Sequence, residues 1–180
     1  LQELVVKTSN NSVYGQLGSA TSALRDLDVA ASICSIGRLH IMYTKALVER
    51  LYADRVVRVA PFGAMRARAC YVYGDTDSVF FCFNLETLDP AHYPDAFVPT
   101  SAGAGAAAWT APRPIQGRVA LQCAIVLACY VAKLVTDTGP RPMGLAYEKT
   151  FMKFFIVSKK KYAGILHELD PDSGCLRYSG

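Results

Sequence analysis

Residues 71–83, Tyr-Val-Tyr-Gly-Asp-Thr-Asp-Ser-Val-Phe-Phe-Cys-Phe, carry two carboxylates, Asp75 and Asp77, at the only polar step between two runs of β-branched and aromatic residues. Such runs favour strands, and Gly74 ahead of Asp75 supplies a chain reversal, so the pattern predicts a β-hairpin with acids at its tip. Two carboxylates on a rigid turn suit a hard divalent cation. Mg²⁺ prefers oxygen ligands and often takes only one or two from protein, which leaves room for the oxygens of a phosphate substrate. An isolated Asp-x-Asp is also common in ordinary turns that bind nothing. The six residues Tyr73 to Ser78 together are far more specific.

The rest of the chain frames that hairpin. At 180 residues and 52% hydrophobic content it suits one folded domain and argues against disorder. A net charge of +4 is too mild to identify a nucleic-acid partner by itself. The six cysteines form no Cys-x-x-Cys and lack paired histidines, so reduced core thiols, and an intracellular protein, are expected in place of a zinc site. With no initiator Met, signal peptide or transit segment, the sequence reads as a piece of a longer polypeptide. The apolar run Val119–Val135 contains Gln122 and Lys133 and is short for a membrane span, so a helix packed on a sheet is expected and no membrane partner.

Periodicity and breakers predict a helix over 1–16, a loop through Gly18–Asp28, a long helix over Val29–Tyr52, and hairpin strands near 68–74 and 78–84. Residues 89–117, rich in Pro, Ala and Gly, read as an irregular insertion. A helix over 118–136 follows, stopped by the Thr138-Gly-Pro-Arg-Pro142 cluster, and then strands over Leu145–Lys149, Phe151–Val157 and Lys161–Leu169. This order fits an α+β fold, a small antiparallel sheet with helices packed on one face.

Tyr73-Gly-Asp-Thr-Asp-Ser78 resembles the third polymerase motif of the family B DNA-dependent DNA polymerases. Two further blocks agree in order. Lys7-Thr-Ser-Asn-Asn-Ser-Val-Tyr-Gly15 resembles the family's Lys-x-x-x-Asn-Ser-x-Tyr-Gly at the base of the fingers helix, and Ser158-Lys-Lys-Lys-Tyr-Ala-Gly164 resembles its Lys-Lys-Arg-Tyr segment. A weaker block, Val29-Ala-Ala-Ser-Ile-Cys-Ser-Ile-Gly-Arg38, is similar to the palm helix after the fingers. Gln16 and the Val-Ala-Ala-Ser run lean towards the polymerases of large double-stranded DNA viruses.

The resemblance implies that 1–18 is the C-terminal part of the fingers helix, 19–165 the palm, and 166–180 the start of the thumb connection. It implies template-directed addition of deoxynucleotides to a primer 3′ end with two Mg²⁺ ions. The partners would be primer-template DNA and deoxynucleoside triphosphates, with room for a processivity factor. The setting would be the site of DNA replication, the host nucleus or a cytoplasmic viral factory if viral. Asp77 matches the acid that bridges the metals, Asp75 a second acid ranked below it, and Glu148 an accessory palm acid; pairing of Glu148 with Lys149 or Lys153 is an equal alternative.

On a helix, Lys7, Asn11 and Tyr14 project to one side at 3.6 residues per turn. A cation there can neutralise a triphosphate and an amide one turn on can hydrogen-bond it. By resemblance Lys7 touches the incoming nucleotide, while Tyr14 and Gly15 lie under the nascent base pair. Lys159, Lys160, Lys161 and Tyr162 would face the primer, although Lys161 stands where the family usually has Arg and so lacks the planar bidentate fork. The family's Asp-x-x-Ser-Leu-Tyr-Pro motif does not occur in these 180 residues, as expected of a truncated chain that is inactive alone. The alternatives are a catalytically silent polymerase-like subunit that binds DNA or proteins, and a metal-dependent nuclease or phosphatase, which would explain neither the Lys7–Gly15 block nor the lysines.

Overall fold

A computed structural model describes residues 2–75, 77–88, 113–168 and 175–179, with the side chains of 2–4, 7, 113 and 175–179 outside the described set. Helix α1 spans Gln2–Gly18, two residues beyond the expected end, and α2 spans Leu27–Leu51. Asp26 starts α2 as an N-cap, its carboxylate accepting the Val29 N–H at 3.0 Å. A hairpin not anticipated from the sequence follows, β1 (Arg55–Val59) and β2 (Gly63–Ala67), with Gly63 at φ 81 at its turn. The acid-tipped hairpin is β3 (Cys70–Asp75) and β4 (Ser78–Cys82).

Of the proline-rich stretch, 89–112 lies outside the described residues. Its end forms β6 (Arg113–Pro114), which pairs with β5 (Glu86–Thr87). Helix α3 spans Gly117–Thr138. Then come β7 (Thr150–Ser158), β8 (Lys161–His167) and β9 (Cys175–Ser179), an antiparallel meander in which β9 folds back along β8.

The molecule is α+β, as expected, but the strands of the described residues form three small antiparallel sheets instead of one: β1-β2-β5-β6, β3-β4 and β7-β8-β9. The β3–β4 register shifts between Tyr71 and Tyr73, and Asn84 takes a left-handed φ of 44 just after β4. Back towards β2, the Arg68 N–H donates to the Phe83 carbonyl at 2.8 Å and the Asn84 side-chain amide N–H donates to the Arg68 carbonyl at 3.0 Å.

The main core lies between the first sheet and the two long helices. Val48 of α2 and Tyr52, its C-cap, meet Val59, Met65 and Ala67 of the hairpin and Cys123, Leu127, Val131 and Val135 of α3. Tyr52 and Phe83 pack edge to face at 5.4 Å. At 22 residues α3 is long and apolar enough to cross a membrane, which the shorter run read from the sequence was not; what marks it as a packed helix is the stripe Cys123, Leu127, Val131 and Val135 buried in the core.

Two further expectations are corrected. Leu145–Lys149 is irregular instead of a strand, and the Thr136 hydroxyl accepts the Leu145 N–H at 2.9 Å, which ties the start of the segment to α3. The free thiols are not mainly core groups. Among the described side chains only Cys123 is buried, its thiol pushed up to about 12 by desolvation, whereas Cys34, Cys70, Cys82 and Cys129 are exposed; the Cys175 side chain is outside the described set.

Candidate active site

The β3–β4 ladder ends at the pair Asp75↔Ser78, which leaves a two-residue connection whose second member is Asp77. The two acids are therefore at the hairpin tip, where the sequence put them. Gly74 has a different task from the one expected. It lies within β3 and does not make the reversal. A β-carbon at Gly74 would fall 2.5 Å from the Tyr71 hydroxyl and 2.8 Å from the Ser78 carbonyl oxygen, and the latter is backbone that cannot give way. Only glycine lets the strands close here, so Gly74 sets the hairpin's tightness and with it the place of the acids.

An aromatic cluster holds the hairpin against the third sheet. Phe80 stacks on Phe154 with ring centroids 5.3 Å apart and also meets Phe151 and Tyr162 at 6.0 and 5.6 Å. Tyr73 reaches Tyr162 at 6.1 Å. These rings come from β3, β4, β7 and β8, with the β7 register shift between Met152 and Phe155 letting both Phe151 and Phe154 meet Phe80, so the apolar runs around the acids become the surface on which the lysine-bearing strands rest. The backbone N–H of Lys160 donates to the Tyr73 hydroxyl at 2.9 Å, and Lys160 adopts a left-handed φ of 64 at the β7–β8 turn.

This packing brings two of the sequence blocks together. Lys159 Nζ lies 3.5 Å from Asp75 Oδ1 and Lys160 Nζ 3.3 Å from Asp75 Oδ2. Partial desolvation pushes the Asp75 carboxyl up, but the Lys160 hydrogen bond and the charges of Lys160 and Lys159 outweigh it and hold the group below the ordinary carboxylate value. The Asp75 side chain is only 16% exposed, while Asp77 is exposed. The neighbouring acids thus occupy different settings, one against cations and one towards solvent.

Asp77 and Glu148 both border a cavity of about 1320 Å³ between β4, α3 and the segment before β7. Glu148 is exposed and its Oε1 accepts from Lys149 Nζ at 2.8 Å, one of the pairings considered from the sequence. Lys161 is exposed at the start of β8, whereas the Tyr162 ring is half-buried in the aromatic cluster. Among the described residues no three His, Cys, Asp or Glu side chains gather as a metal cage. The donor set present is a partial one, suited to a cation that completes its shell with water and substrate oxygens. Asp77 fits such a cation; Asp75, with an oxygen towards each lysine, fits it less well.

The Lys7 block lies on α1, which packs on α2. The Lys7 side chain is outside the described residues. Asn11 is exposed, Gly15 has open space where a side chain would stand, and the Tyr14 hydroxyl meets Cys34 Sγ at 2.9 Å. That contact, then the charge of Cys34 and slight desolvation, raises the Tyr14 phenol above its ordinary value. Tyr14 therefore fixes α1 to α2 with its polar end and leaves the Gly15 side open. The scaffold residues Phe80, Phe151 and Phe154 were not singled out from the sequence; Phe151 and Phe154 are three positions apart, and the register shift between Met152 and Phe155 that brings both to Phe80 has no period-two signal.

A model of DNA polymerase family B matches residues 1–93, just over half of the 180 residues. The chain belongs to DNA polymerase family B. The family B match takes in both the Lys7 block and the Asp-tipped hairpin. The chain is 44% identical over 86 residues, 48% of its length, to a DNA polymerase of Phaeocystis pouchetii virus. It is 31% identical over 172 residues, 96% of its length, to the DNA polymerase delta catalytic subunit of Mesocricetus auratus, and 30% identical over 164 residues to that of Schizosaccharomyces pombe. It spans 8%, 12% and 11% of these three relatives, about a tenth of a family B polymerase of their length.

Proposed function

We propose that this chain is the palm and part of the fingers of a DNA-directed DNA polymerase that extends a primer 3′ end with deoxynucleoside triphosphates. The observation that carries the reading is the meeting of an Asp-tipped hairpin with a lysine turn in a chain of this family. Residues 1–18 supply the fingers segment, 19–165 the palm and 166–180 the way into the thumb.

Asp77 is the residue that would hold Mg²⁺, with Glu148 across the same cavity as an accessory acid. Bound Mg²⁺ would neutralise phosphate charge and lower the barrier for phosphoryl transfer. Lys7 meets the triphosphate, Asn11 hydrogen-bonds it, and the open side of Gly15 beside Tyr14 admits the new base pair. Lys159, Lys160 and Lys161 neutralise primer phosphates while Tyr162, locked among the aromatic rings, keeps the β7–β8 turn in place. The site of action is where DNA is replicated, the nucleus or a viral factory.

The test is primer extension by a full-length polymerase carrying this segment. Mg²⁺-dependent, template-directed elongation supports the reading. Tight primer-template binding with no elongation under any nucleotide supply would instead identify a silent, DNA-binding subunit.

A further inference from the structure

Asp75 sits two residues before Asp77, yet its surroundings are those of an ion-pair partner. Both of its oxygens face ammonium groups, at 3.5 Å from Lys159 and 3.3 Å from Lys160. The same turn is gripped from below, since the Lys160 N–H donates to the Tyr73 hydroxyl and Tyr73 lies two residues before Asp75 on the same strand. The strand β3 thus holds Lys160 at two points, one through the backbone and one through the side chain. Lys160 accepts a left-handed backbone, which a non-glycine residue adopts at a cost when the surroundings require it. The lysine ends are largely exposed, at 76% and 71%, so a phosphate can approach them from solvent while Asp75 remains behind.

We infer that Asp75 is a positioning residue for the Lys159–Lys160 turn, setting two cations in register with the Asp77 tip so that the primer end is presented to the reacting centre. This rests on the polymerase reading and assigns the two acids of one turn separate tasks. Asp77 works towards the cation and Asp75 towards the strand that carries DNA-facing charge. A carboxylate in this place also keeps the lysines extended over the hairpin before DNA arrives, which reduces the ordering required on binding.

The experiment uses a full-length polymerase carrying this segment, with the variants Asp75→Asn, Asp75→Glu, Lys160→Ala and Asp75→Asn combined with Lys160→Ala. Primer extension is measured at saturating nucleotide against a Mg²⁺ titration, with primer-template affinity in parallel. Asp75→Asn is expected to lower kcat on the order of threefold to tenfold, the scale of two partly exposed ion pairs, with the Mg²⁺ midpoint and nucleotide KM unchanged. Asp75→Glu, which keeps the charge, should restore most of the rate. The double variant should be no slower than Lys160→Ala alone, because the two changes remove one coupled unit. A shifted Mg²⁺ midpoint, or rate losses that multiply in the double variant, would overturn the assignment and make Asp75 a cation ligand. A uniform loss in kcat, nucleotide KM and thermal stability that Glu fails to rescue would overturn it in favour of a purely structural role. If the unaltered enzyme fails to extend primers at all, the polymerase reading fails first, and the two failures are thereby distinct.

Discussion

Lys160 and Tyr73, 87 residues apart in sequence, are joined by a hydrogen bond from the lysine backbone N–H to the tyrosine hydroxyl at 2.9 Å. The bond fastens the β7–β8 turn to the acid-tipped hairpin and depends on one oxygen atom. Tyr73→Phe removes that oxygen and keeps the ring contacts with Phe80 and Tyr162. The expected loss is about 1 kcal/mol of stability, with faster hydrogen exchange at the Lys160 amide. Unchanged exchange there would show that the turn holds its place without Tyr73.

Phe80 is the hub of the cluster, with Tyr73, Phe151, Phe154 and Tyr162 all within 6.0 Å between ring centroids. Phe80→Ala should cost about 3 kcal/mol, the lower part of the range for burying and then deleting a phenyl ring, since Phe80 keeps some exposure. Phe80→Leu should recover a good part of it. Chemical denaturation of the three proteins checks the order, and an alanine variant as stable as the parent would mean the second and third sheets do not depend on these rings.

Burial, and secondarily the charge of Tyr130, push the Tyr52 phenol up to about 12 from 10.0. A raised value means that folding favours the neutral phenol, so this contribution is complete below pH 10 and is lost as pH rises from 10 towards 12. The size is on the order of 2 kcal/mol. Tyr52→Phe should therefore lose less stability than the parent across that alkaline window, when both are followed by denaturation at fixed ionic strength. Parallel curves would place Tyr52 at its ordinary value.

Lys7→Ala and Lys160→Ala should separate nucleotide binding from DNA binding. The first should raise nucleotide KM or lower kcat and leave primer-template affinity nearly intact. The second should weaken DNA binding and, if the side chain holds one phosphate, reduce the salt slope by about one unit. Nucleotide titrations at saturating DNA, beside DNA-binding curves in a salt series, check both. A Lys7 defect seen only in DNA affinity would remove the role given to the α1 face.

Much of the local structure was legible in the sequence because it is carried by period and punctuation. The two aromatic runs around Asp75 and Asp77 read as strands, and the Gly139-Pro140 pair marks an end of α3 that the structure keeps, whereas α2 starts two residues before the expected Val29 because Asp26, inside the expected loop, caps it. The β1–β2 hairpin has a local signal in Arg55-Val-Val-Arg-Val and the Pro61-Phe-Gly63 turn, although it lies outside the polymerase-like blocks. Leu145–Lys149 has strand composition and no strand; its first residue is bonded through both N–H and carbonyl to a hydroxyl on α3, that of Thr136. Such tertiary capture leaves no local trace. The same holds for the site. The positions of the acids followed from one turn, whereas the contact of Asp75 with Lys159 and Lys160 spans more than eighty residues and depends on the packing of Phe80 against Phe151 and Phe154.

The central claim is that Asp77 acts in phosphoryl transfer, within a polymerase, from the tip of this hairpin. The most direct test compares Asp77→Asn with the parent in a full-length polymerase carrying this segment, measuring Mg²⁺-dependent primer extension and primer-template affinity on the same preparations. Replacing a charged ligand with a neutral amide should reduce extension by at least about a hundredfold, the scale of a lost electrostatic contact to the reacting group, while DNA affinity changes little. Extension and affinity falling together by similar factors, or extension surviving the change, would contradict the account.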